Sequence, residues 1–144
     1  MSETMFHKCR PKDAEGLCVL IRNELGYTDV TVDEVRNSLE KMLSSDSYFT
    51  IVVENNSEIR GYISAVREIS LEAGEYYRVI GLAVKKEYQG QGLGTALLTL
   101  AESNAKTEGA RLVTLSSQFK RTKAHEFYEK LGYQKTSYAF KKYL

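Results

Sequence analysis

Apolar residues recur along the chain at two different spacings, and each change of spacing marks a new element. Apolar positions three and four residues apart predict helices from Ala14 to Leu25 and from Val35 to Leu43. Between them, Thr31 and Glu34 have the spacing of a capping box, so Thr31 is expected to cap the second helix. Stretches rich in β-branched and aromatic residues predict three strands, at residues 5–9, 48–54 and 59–71. The first half is therefore predicted as strand, helix, helix and hairpin.

The second half begins with a nearly continuous apolar strand, Val79 to Val84, which a glycine-rich turn follows. Residues at helical spacing then predict one face of a helix that ends at Gly109: Leu93, Ala96, Leu97, Leu100, Ala101 and Asn104. A strand is predicted at residues 112–115. A fourth helix is marked by Ala124, Phe127, Tyr128 and Leu131. The alternating pattern at residues 138–141 predicts a final, half-buried strand.

The succession of strand, helix and strand from Tyr77 to Ser116 determines the fold class. Two strands of one sheet joined by a single helix run parallel, with a right-handed crossover. The earlier hairpin makes the rest of the sheet antiparallel. We therefore expect one α/β domain over residues 1–144, with a mixed, mostly antiparallel sheet, a central parallel pair of splayed strands and flanking helices.

The composition agrees with one globular domain and narrows the classes of function. The chain has 144 residues, of which 42% are hydrophobic and 27% charged, and its net charge is only +1. This balance gives no field that would favour nucleic acid or a membrane surface, and no apolar run reaches the ~18 residues of a membrane span. Residues 1–8 lack a secretory signal pattern, which predicts a cytoplasmic protein. Cys9 and Cys18 have no metal-ligand spacing, so we expect packed, reduced thiols and no metal site.

A strand that runs through a glycine-rich turn into a helix start is suited to bind an anion. The first N–H groups of a helix have no intrahelical partner, and the helix dipole makes that end positive. Gly90, Gly92 and Gly94 would let the backbone approach a phosphate closely, although a purely structural turn is an alternative. A Rossmann fingerprint would need glycine at Thr95, and a Walker A loop would need lysine after Gly94. Basic residues that suit an anionic ligand follow both parallel strands: Lys85, Lys86, Lys120, Arg121 and Lys123.

Two sequence motifs occur in order in this half of the chain. The first is Leu82-Ala83-Val84 followed by the turn Gln89-Gly90-Gln91-Gly92-Leu93-Gly94, and the second is the segment from Ala124 to Tyr133. They resemble the Gln/Arg-x-x-Gly-x-Gly/Ala loop and the closing A-x-x-F-Y-x-x-x-G-F/Y element of the GNAT family, which are acyl-CoA-dependent N-acetyltransferases. The resemblance covers residues 77–133, whereas the first half resembles the family only in its order of elements.

The resemblance implies where acetyl-CoA would bind. Backbone groups of Leu82, Ala83 and Val84 would bond to the pantetheine arm like an added strand, beside the gap that holds the thioester. N–H groups of the turn would hold the pyrophosphate, through Gln89, Gly90, Gln91, Gly92, Leu93, Gly94 and Thr95. The alternative role of the Gln89 side chain is to brace the turn. Arg121 stands where many family members have asparagine, so a phosphate contact is expected there in place of an amide contact.

The resemblance also implies direct attack of a primary amine on the acetyl thioester, without an acyl-enzyme. Tyr128 matches the family's tyrosine and would be the general acid that protonates the departing thiolate. Arg121 or a helix N-terminus would help to lower its pKa, and the alternative is a core tyrosine bonded to a carbonyl. His125 is expected nearer the surface. Four candidates for the base stay open: Glu24, Glu68, Glu75 and water.

Three functions are compatible with these motifs. An N-acetyltransferase for a small-molecule amine is favoured, with Glu24, Tyr27 and Glu68 as weaker candidates for contacts to the acceptor. A protein or peptide N-acetyltransferase would use the same chemistry, and the loop at residues 25–32 has no decisive acidic patch that would select a basic peptide. A non-catalytic acyl-CoA-binding module would keep the glycine turn without the acid. A homodimer is common among proteins that resemble this one.

Overall fold

The computed structural model describes residues 3–144, and within that range it has five strands and four helices. In chain order they are β1 (Met5–Lys8), α1 (Ala14–Leu25), α2 (Val32–Leu43), β2 (Tyr48–Asn55), β3 (Glu58–Ser70), β4 (Gly74–Val84), α3 (Leu93–Thr107), β5 (Val113–Leu115) and α4 (Thr122–Lys130). Short 3-10 helices precede α1 at Pro11–Asp13 and follow β4 at Lys86–Tyr88. None of the helices in residues 3–144 combines the length and the apolar character needed to cross a membrane. The helices and strands predicted before residue 131 are thus confirmed.

The five strands form one sheet in the order β1-β2-β3-β4-β5. β1 pairs antiparallel with β2, β2 with β3, and β3 with β4. On the other side of β4, the N–H of Arg111 donates to the carbonyl of Glu75, and the N–H of Tyr77 donates to the carbonyl of Leu112, both at 3.0 Å. Because both partners advance in the same direction, this pairing is parallel. The mixed, mostly antiparallel sheet with a parallel pair is therefore confirmed.

The start of α2 follows the capping prediction in part. The side-chain oxygen of Thr31 accepts a hydrogen bond from the backbone N–H of Glu34 at 3.1 Å. The carboxylate of Glu34 accepts from the Thr31 hydroxyl at 3.1 Å, whereas a full capping box would direct it to the Thr31 backbone N–H. The pair therefore satisfies one of the unbonded donors of the helix start.

The chain divides into two compact units, of which the first ends at Thr114 and the second runs from Leu115 to Leu144. In the first unit, α1 and α2 pack on one face of the sheet in a cluster that includes Leu17, Leu20, Leu39, Val52 and Tyr62. On the other face, a Cβ built at Gly61 would meet the side chains of Val53 and Leu97, which belongs to α3. Neighbouring residues of a strand face opposite sides, so the sheet is covered by helices on both.

The buried face of α3 differs from the one predicted. Its buried residues are Leu97, Leu98, Ala101 and Ala105. Leu100, which the spacing placed on the same face as Leu97, is 39% exposed. The helix has apolar residues around most of its circumference, so the pattern alone does not decide which stripe packs on the sheet.

Replacing Leu97 with alanine should therefore lower the free energy of unfolding by about 2–5 kcal/mol, because a fully buried side chain leaves a cavity. Leu100→Ala, on the same helix, should lower it by clearly less, because this side chain is already 39% exposed and its loss leaves no closed cavity. Urea denaturation of the two variants measures both values. Equal losses would show that Leu100 packs against something in solution.

The second unit contains α4, with Tyr128 as its buried residue. The final strand predicted at residues 138–141 is wrong, because no strand follows α4 among the described residues. Tyr138 is 73% exposed and Phe140 is 95% exposed. Alternation states which side chains share a face, but a strand also needs a neighbour to receive its backbone hydrogen bonds.

Candidate functional site

β4 contains a bulge that changes which of its backbone groups point away from β3. Val79 pairs with Ala65 and Gly81 pairs with Ser64, so Ile80 is an extra residue with no partner across the ladder. A bulge of this kind bends the strand and increases its local twist. The residues whose backbone groups point outward therefore change from odd-numbered before Ile80 to even-numbered after it.

After the bulge, Leu82 and Val84 carry the outward groups. The N–H of Lys85 donates to the carbonyl of Arg60 at 2.8 Å, which makes these two residues a hydrogen-bonded pair. Such pairs recur at every second residue of an antiparallel ladder, so Ala83 bonds to β3, and Leu82 and Val84 do not. The end of β4 thus presents a strand edge that is turned away from β3.

The turn after β4 exposes a row of backbone N–H groups. Gly90 and Gly92 both have left-handed backbones, with φ of 81° and 85°, and a Cβ added to either would meet nothing within 4 Å. The first hydrogen bond within α3 runs from the N–H of Ala96 to the carbonyl of Gly92 at 3.0 Å. Within the part of the chain that the structure describes, the N–H groups from Gln91 to Thr95 have no backbone acceptor. They lie at the positive end of a 15-residue helix and are suited to bind an anion.

The Gln89 side chain braces this turn. Its Nε2 donates to the carbonyl of Val84 at 2.9 Å, and its backbone N–H donates to the carbonyl of Lys86. One outward group of β4, the Val84 carbonyl, is thereby occupied. The other groups that point away from β3 in this part of the strand are the N–H and C=O of Leu82 and the N–H of Val84.

The basic segment between β4 and the turn is partly neutralised. Lys85 Nζ lies 2.7 Å from Glu58 Oε2, and the Tyr88 hydroxyl donates to Glu58 Oε1 at 2.7 Å. The Arg60 guanidinium lies 3.9 Å from the centre of the Tyr88 ring. The hydrogen bonds from Lys85 and Tyr88 hold the pKa of Glu58 below its usual range, so this carboxylate is ionised at neutral pH. Lys85 therefore does not project as a free charge, in contrast to the expectation from the sequence.

Sequence reasoning did not find Glu58, Arg60 or Tyr88. Glu58 lies 27 positions before Lys85, and only the register of β3 on β4 brings the two together. The bulge at Ile80 shifts that register by one residue, and its signal in the sequence is Gly81, an isolated glycine within the strand that was not interpreted in this way.

Of the three acceptor-site candidates, Glu24 and Tyr27 belong to the end of α1 and the loop after it, whereas Glu68 lies elsewhere. Glu24 Oε2 accepts from the backbone N–H of Lys86 at 3.1 Å, which brings this carboxylate to the end of β4. Tyr27 is 55% exposed. Glu68 forms a two-pronged ion pair with Arg78, at 2.7 and 3.1 Å. Its partner across the ladder is Tyr76, eight residues before Val84, which is roughly 25 Å along the strand. The structure does not bring Glu68 to the end of β4, nor Glu75, which pairs with Ile69 on the same hairpin.

Within the second unit, Tyr128 is buried and packs against two other aromatic rings. Its ring centre lies 5.5 Å from that of Phe127 and 6.2 Å from that of Tyr133. Burial raises the pKa of Tyr128, and the nearby charge of Arg121 lowers it only in part. The sequence-based expectation considered only the lowering, but desolvation is the larger effect.

Neither His125 nor the cysteines are placed as nucleophiles. His125 Nε2 donates to the carbonyl of Gln118 at 2.9 Å, a contact within the second unit. Cys9 and Cys18 are free and buried in the core. Burial raises the pKa of Cys9 to about 12, so its thiol stays protonated at neutral pH.

Comparison with known proteins identifies the family. The Acetyltransferase (GNAT) family profile matches residues 18–133. The chain is 32% identical over 129 residues to the aminoalkylphosphonate N-acetyltransferase of Salmonella typhimurium, covering 89% of this chain and 80% of that protein. It is 30% identical over 116 residues to the uncharacterized N-acetyltransferase YhdJ of Bacillus subtilis, covering 80% and 82%. The solved structure of the aminoglycoside N-acetyltransferase AAC(6')-Iy in complex with CoA shares the fold, with a TM-score of 0.86 at 13% identity over 100% of this chain and 96% of that one. The chain belongs to the GNAT family of acetyltransferases.

Proposed function

We propose that this protein transfers an acetyl group from acetyl-CoA to a primary amine on a small molecule. The observation that carries the proposal is the continuity between the outward edge of β4, at Leu82 and Val84, and the exposed N–H groups from Gln91 to Thr95. An extended arm with amide groups can add to a strand edge, and a diphosphate can bind at a helix start. CoA carries both groups, joined in that order.

The residues present fit this co-substrate. The space above Gly90 and Gly92 is open, and a side chain at either position would occupy it. The first turn of α3 has no acidic residue and no side-chain cap, whereas α2 has Asp33 and Glu34 in its first turn and Thr31 as its cap. A helix start left without its own acceptor is stabilised by an external anion.

The proposed reaction is direct attack of the amine on the thioester carbonyl carbon. The N–C bond forms as the C–S bond breaks, the amine loses a proton to a base, and the thiolate gains one. The N–H of Val84, turned away from β3, is our candidate donor to the charge that develops on the carbonyl oxygen. A donor in this role contributes about 3 kcal/mol to lowering the barrier.

We assign the proton that the thiolate receives to Tyr128. The assignment rests on the match of Tyr128 to the family's tyrosine. The raised pKa supports it because a general acid must be protonated before it reacts. A phenol whose pKa is raised by burial holds its proton throughout the neutral and mildly alkaline range. Arg121, which partly offsets that effect, remains our candidate for a phosphate contact.

The acceptor is proposed to be a small, positively charged amine. Glu24 supports this, since its half-exposed carboxylate lies where β4 ends and attracts a cation. The name of the Salmonella relative, an aminoalkylphosphonate N-acetyltransferase, supports a small-molecule acceptor as well.

A panel of acceptors assayed for release of free CoA thiol tests the proposal. With acetyl-CoA as donor, we expect at least one small primary amine to exceed every peptide N-terminus in kcat/KM by tenfold or more. Propionyl-CoA and succinyl-CoA as alternative donors test the acetyl group itself. Higher kcat/KM with peptides would move the protein to the protein N-acetyltransferases, and CoA binding without turnover of any acceptor would favour a non-catalytic module.

A further inference from the structure

The segment between β4 and the glycine turn, residues 85–89, sets the direction of the N–H groups that follow it. Gly90 and Gly92 have no side chains with which to anchor the turn, and both are exposed. The position of the turn therefore depends on what holds residues 85–89 in place. We name this segment the link.

We propose that Glu58 is a positioning residue for acyl-CoA binding, which acts by holding the link against the start of β3. The inference rests on the proposed function and deepens it. One carboxylate oxygen of Glu58 binds Lys85 Nζ and the other accepts from the Tyr88 hydroxyl, each at 2.7 Å. A single side chain thus fixes both ends of the 3-10 helix Lys86–Tyr88.

The Glu58 contacts belong to a larger set that holds the link to two different elements. Arg60, also on β3, accepts at its carbonyl from the Lys85 N–H at 2.8 Å and stacks its guanidinium 3.9 Å from the Tyr88 ring centre. On another side, Glu24 of α1 accepts from the Lys86 N–H. These two hydrogen bonds from backbone N–H groups hold the beginning of the link, at Lys85 and Lys86. At its other end, stacking on Arg60 restrains the distance of the Tyr88 ring more than its direction, and Glu58 supplies the directional contact to the Tyr88 hydroxyl.

A competing explanation gives Lys85 a different role. If Lys85 bound the diphosphate directly, Glu58 would compete with the ligand for it, and removing Glu58 would strengthen CoA binding. If Glu58 positions the link, removing it weakens binding. The two explanations predict opposite signs for one measurement.

The chain offers a matched control for this measurement. Glu108, after the last turn of α3, also accepts from a tyrosine hydroxyl, Tyr77 at 2.7 Å, and from a cation, Arg67 at 3.1 Å. The exposed fractions of the two glutamate side chains are alike, 35% for Glu58 and 33% for Glu108. Glu108 lies at the opposite end of α3 from the turn, roughly 20 Å away along the helix.

The test is calorimetric titration of CoA into the wild type, Glu58→Ala, Glu58→Gln and Glu108→Ala, with steady-state kinetics beside it. We expect Glu58→Ala to raise the CoA Kd and the KM for acetyl-CoA at least fivefold, with kcat at saturation within twofold of wild type. Glu58→Gln should fall between the two, since its amide oxygen can still accept from Tyr88. Glu108→Ala should leave the Kd within twofold, and thermal melts of all three variants should show that they fold.

Three other results would contradict either the role of Glu58 or the proposed function. A Kd that is unchanged in Glu58→Ala, or tighter than in the wild type, overturns the positioning role while leaving the proposed function intact. An equal loss of affinity in Glu108→Ala also overturns it, because the effect would then follow from general loosening. A wild type that binds no CoA would overturn the proposed function itself, and the role of Glu58 with it.

Discussion

Tyr128→Phe should lower kcat by at least tenfold and leave the Kd for CoA within twofold of the wild type. Removing a general acid lowers a rate by about 10²- to 10⁴-fold in enzymes where another donor does not replace it. The phenol proton is lost in the variant, whereas the ring keeps its contacts with Phe127 and Tyr133. Calorimetry with CoA and thiol release with the best amine of the panel measure the two quantities.

The pH dependence adds a second readout for the same residue. Because burial raises the pKa of Tyr128 above its usual value near 10, the acid stays protonated as pH rises through the neutral range. We therefore expect no loss of kcat from this group below about pH 10, the ordinary pKa of a phenol. Tyr133→Phe is the matched control, since it removes a hydroxyl from the neighbouring ring, and it should leave kcat within twofold. Equal kcat in wild type and Tyr128→Phe would exclude Tyr128 from proton transfer.

Helix ends and turns could be predicted from the sequence because their signals are local. Gly26 ends α1 with a φ of 82°, and Gly109 and Gly132 follow α3 and α4 with φ of 82° and 93°. Each is a left-handed position that glycine adopts without the steric cost of a Cβ. The turn between β2 and β3 follows the same logic, since Asn56 and Ser57 both have positive φ. In each case the residue type at one position determines the backbone angle at that same position, so no distant contact is needed to predict it.

The sequence-based predictions that the structure does not support are those that depend on contacts between distant parts of the chain. The face of α3 that packs on the sheet is selected by Val53 and other residues of β2 and β3, so an apolar Leu100 stayed indistinguishable from Leu97 in the sequence. The final strand required a partner that alternation does not specify. Glu68 was grouped with Glu24 by charge alone, and the length of the β3–β4 hairpin separates them.

In the candidate site, too, the features set by neighbouring residues could be predicted, and those set by distant residues could not. The glycine turn was predicted because consecutive backbone groups perform its role, and their geometry follows from the residues between Gln89 and Thr95. The charges around the turn were not predicted, because Lys85 is neutralised by Glu58 across the sheet. A count of basic residues therefore overestimated the positive charge that is free to meet a ligand.

Thr95→Glu should weaken CoA binding by roughly 10- to 100-fold while stabilising the fold. Thr95 is the third residue of α3 and is exposed, and no acid is present in that turn. A carboxylate there interacts favourably with the helix dipole, by about 0.3–1 kcal/mol. Towards a diphosphate the same charge is repulsive, by about 1 kcal/mol at 5 Å in water and about 3 kcal/mol at an effective dielectric constant of 20.

Thr95→Gln separates charge from size, since it has the same shape as the glutamate variant without its charge, and it should bind CoA within a few fold of wild type. The difference in Kd between the glutamate and glutamine variants should also shrink as salt is raised from 50 to 500 mM, because counterions screen the repulsion. A structural defect would instead lower the melting temperature and respond little to salt. If Thr95→Glu binds CoA more weakly and is more stable than the wild type, the diphosphate of CoA binds at this helix start. Equal Kd values for the glutamate and glutamine variants would mean that the diphosphate binds elsewhere.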